Sequence, residues 1–298
     1  MNHHRHTAPS LLGPVAIIIV VALAGYFVLT RVPLDPSANP NAPVTFYCNG
    51  GSAMQATFAT SSVALVLSDG RSFTLPQTMS GSGIRYEATS TDSGTDIAFI
   101  AKGANAFLTE NGQETYAQCT AARIAPKAQG EESYTDLGNT FSFAFPSSFM
   151  PEGSDPGLSY SWTAPATTTG EVLAKIYVPQ SFMPGTNFGD AWFTVGDSSD
   201  PSAVATCLSN LSGSAATTTV SINGTSFTKL EFQGAAAGNR YDTTSYRMVK
   251  DGMCYAVEYT IHYGVLENYP KGAVQAFDEQ KIADALDQVA QSFRFLPQ

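Results

Sequence analysis

The stretch SVALVLSDGRSFTL, residues 62–75, carries the clearest fold signal in the chain. Apolar side chains alternate with other residues in VALVL and again in SFTL, which is the period of a strand with one buried face. Asp69-Gly70 separates the two runs, and an Asp-Gly pair between alternating apolar residues is a strong signal for a tight hairpin. The stretch therefore predicts two antiparallel strands.

The sequence around this hairpin repeats the pattern of short apolar runs and turn residues. Three further turns are expected, at Ser93-Gly94, Lys102-Gly103 and Asn111-Gly112. Short strands at such close spacing are typical of a small antiparallel barrel or sandwich. We predict such a unit over residues 43–122.

Residues 134–298 form a second predicted domain, after a polar linker at 123–133. Four stretches have strand character: TFSFAFP, EVLAKIYVP, TVSINGTSFTKLEF and MCYAVEYTIHY. Near the end, FDEQKIADALDQVAQSF has apolar residues at helical spacing and acidic residues in its first turn, where the helix dipole favours them. The predicted fold is therefore mainly β, with an α+β second domain that has an antiparallel sheet and a C-terminal helix.

The N-terminal region predicts a membrane anchor. Residues 11–30 carry no charge, and about 20 such residues suffice to cross the bilayer as a helix. Residues 1–10 are then a cytoplasmic tail, and the Pro-rich residues 31–42 are an extended stalk. The alternative is a cleaved secretory signal, with Ala22 and Ala24 as the small residues at its cleavage site.

Four cysteines allow three pairings. Pairing within each domain is the simplest, and it would join Cys48 to Cys119 and Cys207 to Cys254. Disulfides imply an oxidising compartment, so both domains are expected outside the cytoplasm, as a single-pass membrane protein. Buried free thiols are the alternative, whereas a zinc site is disfavoured because no C-x-x-C spacing is present.

Composition and motifs limit the classes of function. The formal net charge of -10 would repel phosphate backbones, so no nucleic-acid partner is expected. Ser226 and Lys229 match S-x-x-K without its companion motifs, and His262 has no G-x-S-x-G elbow to serve. We expect His262 to be a half-buried structural residue. No catalysis, cofactor or metal is predicted.

Residues 43–122 contain four features that together resemble a known family. They are FYCNGG around Cys48, the run SGIRY from Ser82 to Tyr86, AKG ending at Gly103, and Cys119 at the end of the domain. With these features the region resembles the MliC-type membrane-bound inhibitors of c-type lysozyme, bacterial envelope proteins. Residues 131–298 are only faintly similar to PsbP-like domains, and no motif there identifies a family.

The resemblance implies an eight-stranded antiparallel barrel closed by Cys48 and Cys119, with loops that enter the lysozyme cleft. The first inhibitory motif of the family, S-G-x-x-Y, is matched in full. The second motif, Y-x-x-x-T-K-G, keeps its Lys-Gly end, whereas Ile97 and Ala101 replace its Tyr and Thr. The lysozyme-binding residues that follow from these motifs are Ser82, Gly83, Tyr86, Lys102 and Gly103.

The function expected from this resemblance is inhibition of c-type lysozyme, the predicted protein partner, by a protein held to the membrane through its N-terminal helix. Such a glycosidase uses one protonated and one ionised carboxylate. Lys102 would pair with the ionised group, and the Ser82 hydroxyl would hydrogen-bond the acid. The alternative is a non-inhibitory structural or interaction protein of the envelope that retains the barrel fold.

Overall fold

The computed structural model describes residues 42–90, 94–126, 130–153, 160–165, 167–209 and 217–297. The predicted tail, the predicted membrane helix at 11–30 and the stalk up to residue 41 lie outside the described residues. Within the described ranges, no helix has the length and apolar character needed to span a bilayer.

Strands dominate the described part of the chain. In chain order they are β1 Val44–Tyr47, β2 Ala53–Phe58, β3 Ser62–Leu67, β4 Ser72–Thr78, β5 Ile84–Thr89, β6 Asp96–Lys102, β7 Asn105–Glu110, β8 Gln113–Pro126, β9 Glu131–Asp136, β10 Phe141–Pro146, β11 Met150–Glu152, β12 Glu171–Val178, β13 Phe188–Ser198, β14 Thr218–Ile222, β15 Thr225–Ala236, β16 Asn239–Lys250, β17 Met253–Gly264 and β18 Arg294–Phe295. The α-helices are α1 Pro201–Thr206 and α2 Glu279–Ser292, and short 3-10 turns include Tyr160–Trp162.

Strands β1 to β8 form a closed antiparallel barrel. Each strand pairs with the next along the chain, and β1 closes the barrel by pairing with β8, Phe46 opposite Ala121. Side chains that alternate along these strands fill the interior, where the rings of Phe46 and Phe99 meet edge to face at 5.7 Å. The eight-stranded barrel expected from the resemblance is confirmed.

The hairpin predicted from residues 62–75 is also confirmed. β3 and β4 are antiparallel, with Val63 opposite Leu75. The inward side chains of β3 are buried, and Gly70 in the turn has φ +90°, a conformation open to glycine. Alternation and turn chemistry agree here, and together they set the register of the pair.

β8 extends beyond the barrel into the next layer. Its first part pairs with β7 and β1, and its last residues pair with β9, Ile124 opposite Tyr134. Within the segment 123–133 described above as a linker, residues up to Pro126 are therefore strand, and β9 begins at Glu131. The described residues beyond Pro40 belong to one compact unit.

The second sheet has seven antiparallel strands in the order β11-β12-β13-β17-β16-β15-β14. One of its faces is covered by α2 together with β9 and β10, and this is the larger core of the protein. Phe143 of β10 lies 4.9 Å from Phe193 of the sheet, ring centre to ring centre, and Leu286 of α2 is fully buried in the same core. The antiparallel sheet and the C-terminal helix are confirmed.

Both expected disulfides are present. Cys48–Cys119 joins the segment after β1 to β8 within the barrel. Cys207–Cys254 joins the end of α1 to β17, on the face of the second sheet opposite α2, where Trp162 packs against it.

Candidate functional site

The structure brings the Ser82-Gly83 loop and the Lys102 turn together at one end of the barrel. Ile84 opens β5 opposite Ala101 of β6, so Gly83, one residue earlier, lies beside Lys102. A Cβ atom added to Gly83 would lie 2.4 Å from the Ala101 carbonyl oxygen and 3.1 Å from the Lys102 Cβ. Gly83 also has φ +70°, so glycine is required here for two separate reasons.

Lys102 is the last residue of β6, and its side chain is exposed. It pairs with Asn105 across a two-residue turn that Gly103 enters with φ +60°. The turn is therefore one position later than predicted, since Lys102 still belongs to the strand. Because Lys102 is paired within the strand, the direction of its side chain is more restricted than it would be at a turn position.

Lys102 differs in its electrostatic surroundings from Arg71 and Arg85, two other basic side chains of the barrel. Arg71 pairs with Glu110 at 2.8 Å, and its hydrogen bond lowers the pKa of that carboxyl. Arg85 pairs with Glu87 at 2.7 Å. Within the described residues Lys102 takes part in no ion pair, so its ammonium is available to an external carboxylate.

Ser82 is exposed in a loop that its neighbour Ser80 holds in shape. The Ser80 hydroxyl donates to the Ser82 carbonyl oxygen at 2.8 Å and accepts a weaker bond from the Ser82 N–H at 3.4 Å. The Ser82 hydroxyl itself has no hydrogen-bond partner within the described part of the loop. It is free to bond to a partner.

Tyr86, the third residue of the first motif, lies inside the barrel. It is 4% exposed and packs between Phe58 at 6.1 Å and Phe99 at 6.4 Å, and burial raises the pKa of its phenol. The Tyr86 ring therefore packs in the barrel interior beneath β5, whereas Ser82 and Lys102 lie on the surface.

The two positions that depart from the second motif are also internal. Ile97 and Ala101 are both buried in the barrel core, on the face of β6 opposite to Lys102. The replacements therefore lie inside the barrel, Ala101 next to the turn and Ile97 near the other end of β6, and they leave the exposed Lys102-Gly103 pair in place.

Met79 is a surface residue at this site that the sequence analysis does not identify. Its side chain is 99% exposed, and it lines a shallow depression with Ser80, Gly83 and Ile84. An isolated methionine beside a Gly-Ser turn is the sequence signal, because turns are normally polar. A flexible apolar side chain suits contact with a partner surface.

The barrel matches one known family. A family model described as membrane-bound lysozyme-inhibitor of c-type lysozyme aligns with residues 46–116. The matched range runs from β1 into β8, includes both loops and stops short of Cys119. No curated protein matches the chain. The family description therefore concerns the barrel, and the second sheet has to be interpreted from its own residues.

The second sheet contains a histidine–aspartate pair. His262 Nδ1 lies 2.9 Å from Asp190 Oδ1, and the ring stacks on Tyr241 at 4.7 Å. The His262 Nε2 atom is buried and has no partner in the described residues, so no serine or cysteine there completes a triad. His262 is partly buried, as predicted. Ser226, the other candidate, lies on strand β15, as its surroundings indicated.

A buried charge pair in the same sheet is a further feature that the sequence analysis misses. Glu258 accepts hydrogen bonds from the Ala164 N–H at 3.1 Å and the Thr163 hydroxyl at 3.2 Å, while Arg247 donates to the Ala164 carbonyl. The guanidinium is 3.9 Å from Glu258. Burial raises the pKa of Glu258 and lowers that of Arg247. The pair fastens residues 160–165 to the sheet.

Proposed function

We propose that the protein is an extracytoplasmic inhibitor of c-type lysozyme, held at the cell membrane by residues 11–30, that inserts its Ser82 and Lys102 loops into the lysozyme cleft. One observation carries the proposal: an exposed lysine without an ion-pair partner in the described barrel lies directly beside the Ser82-Gly83 loop. The family match over the barrel supports the same target.

The chemistry of the target explains why these two groups suit it. A retaining glycosidase keeps one carboxylate ionised as nucleophile and one protonated as general acid, about 5 Å apart. The ammonium of Lys102 would pair with the ionised group in a charge-assisted bond. The Ser82 hydroxyl would hydrogen-bond the acid, and the loops would fill the space that the sugar chain needs.

The barrel reduces the cost of this insertion. Both loops are short connections between paired strands, and Gly83 packs directly against Lys102. Ordering loops and side chains on binding normally weakens affinity, and a preformed arrangement avoids part of that loss. The free Ser82 hydroxyl and the exposed Met79 would add contacts at the same end of the barrel.

The proposed location follows from the same features. Two disulfides suit an oxidising compartment, so the barrel and the second sheet would lie outside the cytoplasm. Residues 11–30 would anchor the chain, and the Pro-rich stalk at 31–42 would hold the barrel away from the membrane surface.

The decisive experiment is lysis of bacterial cell walls by c-type lysozyme, titrated with the protein from residue 40 onward. Lys102→Ala should weaken inhibition by about 30-fold to several thousandfold, because loss of one partner of a buried charge pair costs about 2–5 kcal/mol. Ser82→Ala should give a smaller loss. Lys271→Ala is the matched control, because it removes an equal charge from an exposed position in the second region.

If the wild type inhibits lysozyme and all three variants inhibit it equally well, this mode of binding is contradicted. No inhibition at all by the folded wild type would favour the second candidate function, a non-inhibitory structural or interaction protein of the envelope. The specific observation in favour of that candidate is that Ile97 and Ala101 stand in the barrel core where the second motif has Tyr and Thr.

A further inference from the structure

A second candidate binding site lies on the face of the second sheet opposite to α2. It is a cleft of about 580 Å³, a size within the range of small-molecule sites. Its floor is a row of neighbouring side chains on three strands: Trp192 of β13 is opposite Thr260 of β17, which is opposite Thr243 of β16. Asn49 and Gln118 of the barrel form one wall.

The other side of this sheet is a packed apolar core, whereas the cleft is lined with hydroxyl groups. Thr194, Thr243 and Thr260 are each less than a tenth exposed. Thr243 and Thr260 share one hydrogen bond of 2.8 Å, so one of their two O–H groups remains able to donate. The Thr194 hydroxyl and the Trp192 indole N–H have no partner within the described residues.

Two aromatic side chains border these hydroxyl groups. Trp192 is partly exposed to the cleft, and Tyr241 lines it nearby. The Tyr241 ring is nearly parallel to His262, at 8°, and His262 is held by Asp190. The stacking fixes the plane of Tyr241 in advance of any ligand, which lowers the entropy cost of binding.

The charged groups of the cleft already have partners. Lys175 pairs with Glu152 at 2.8 Å, and Glu258 is bonded to the Ala164 N–H at 3.1 Å. Neither charge is left for an anionic or cationic ligand. The groups that remain are hydroxyls, side-chain amides and aromatic rings, which match a neutral ligand that has many hydroxyl groups and an apolar ring face.

We propose that this cleft binds a neutral oligosaccharide. The apolar faces of sugar rings stack on Trp192 and Tyr241, and the sugar hydroxyls bond to Thr194 and to the Thr243–Thr260 pair. The site is separate from the Ser82 and Lys102 loops, and its ligand differs from the protein partner proposed for them. This proposal therefore does not depend on whether the protein inhibits lysozyme.

Intrinsic tryptophan fluorescence offers a direct test. Of the two tryptophans, Trp162 is buried against the disulfide, so a ligand in the cleft would change the emission of Trp192. Chitotetraose and cellotetraose are neutral probes, and a tetrameric galacturonate is the anionic comparison. We expect saturable fluorescence changes with a neutral probe, confirmed by calorimetry, and none with the anionic probe.

Variants identify the cleft as the site. Thr194→Val keeps the shape of the side chain and removes one hydroxyl, and Trp192→Ala removes a stacking face; each should weaken calorimetric binding about tenfold or more. Thr218→Val, at an exposed position on β14, is the matched control and should bind as the wild type does. Absence of saturable binding by both neutral probes, tighter binding of the anionic probe, or full binding by Thr194→Val would each overturn the proposal.

Discussion

Replacement of Gly83 by alanine tests the contact that joins the two inhibitory loops. Gly83 and Gly103 are both motif glycines with left-handed backbones, φ +70° and +60°. They differ in one respect: a Cβ on Gly103 would meet nothing within 4 Å, whereas a Cβ on Gly83 would lie 2.4 Å from the Ala101 carbonyl oxygen. Gly103→Ala is therefore a matched control for backbone strain alone.

The expected cost follows from these two terms. A left-handed backbone costs an L-residue about 1–2 kcal/mol, and both variants bear that term. In Gly83→Ala the Cβ must also move from 2.4 Å to at least 3.0 Å from the carbonyl oxygen, a shift of 0.6 Å against the paired strands β5 and β6. Such overpacking costs typically about 1–3 kcal/mol. We expect a total of about 2–5 kcal/mol for Gly83→Ala.

Urea unfolding of the protein from residue 40 onward measures this difference, since the shift in midpoint multiplied by the slope gives the change in unfolding free energy. Gly83→Ala should be the less stable variant by about 1–3 kcal/mol, the size of the overpacking term. It should also be the weaker lysozyme inhibitor if the proposed function holds. Equal losses of stability in both variants would refute the close contact between Gly83 and β6.

Two further substitutions test contacts of the second sheet. Asn223→Gly keeps the turn conformation but removes hydrogen bonds of 3.0 and 2.8 Å to the carbonyls of Gln291 and Phe293 at the C-terminal end of α2. Urea unfolding should show a loss of about 1–2 kcal/mol, and an unchanged midpoint would contradict this. Glu258→Gln tests the raised pKa of Glu258: the buried carboxyl holds its proton more tightly than the unfolded chain does. The stability that Glu258 gives the wild type relative to the variant is therefore complete below the ordinary pKa of 4.5 and is lost as the pH rises through the pKa of the folded state. A difference in unfolding free energy between wild type and variant that does not change with pH would contradict the raised pKa.

The hairpins of the barrel could be predicted from the sequence because their signals are local, whereas the choice of a closed eight-stranded barrel over a sandwich came from the family resemblance. Alternation of side chains and turn residues specify each hairpin within about a dozen residues, as in residues 62–75, and closure requires only that β1 meet β8. The residues Ser82 and Lys102 were identified from short motifs of the family that this region resembles. Their juxtaposition was not evident, since it depends on the register that places Ile84 opposite Ala101.

The second sheet shows why the remaining features could not be predicted. Glu258 lies in the largely apolar run MCYAVEYTIHY. A carboxylate there indicates that a buried charge needs a partner, but the run does not identify that partner. Arg247 reaches Glu258 across the hairpin of β16 and β17, whereas residues 163–164 come from a segment about 95 residues earlier in the chain, so their contact with Glu258 could not be predicted from local pattern. The cleft depends on the strand order β13-β17-β16, because Trp192, Thr260 and Thr243 become neighbours only across three strands. Local pattern thus suffices for a meander in which sequence neighbours are also spatial neighbours. It fails where strands far apart in the sequence pair, as β13 and β17 do, and both the contacts of Glu258 with residues 163–164 and the proposed saccharide site depend on parts of the chain that are distant in sequence.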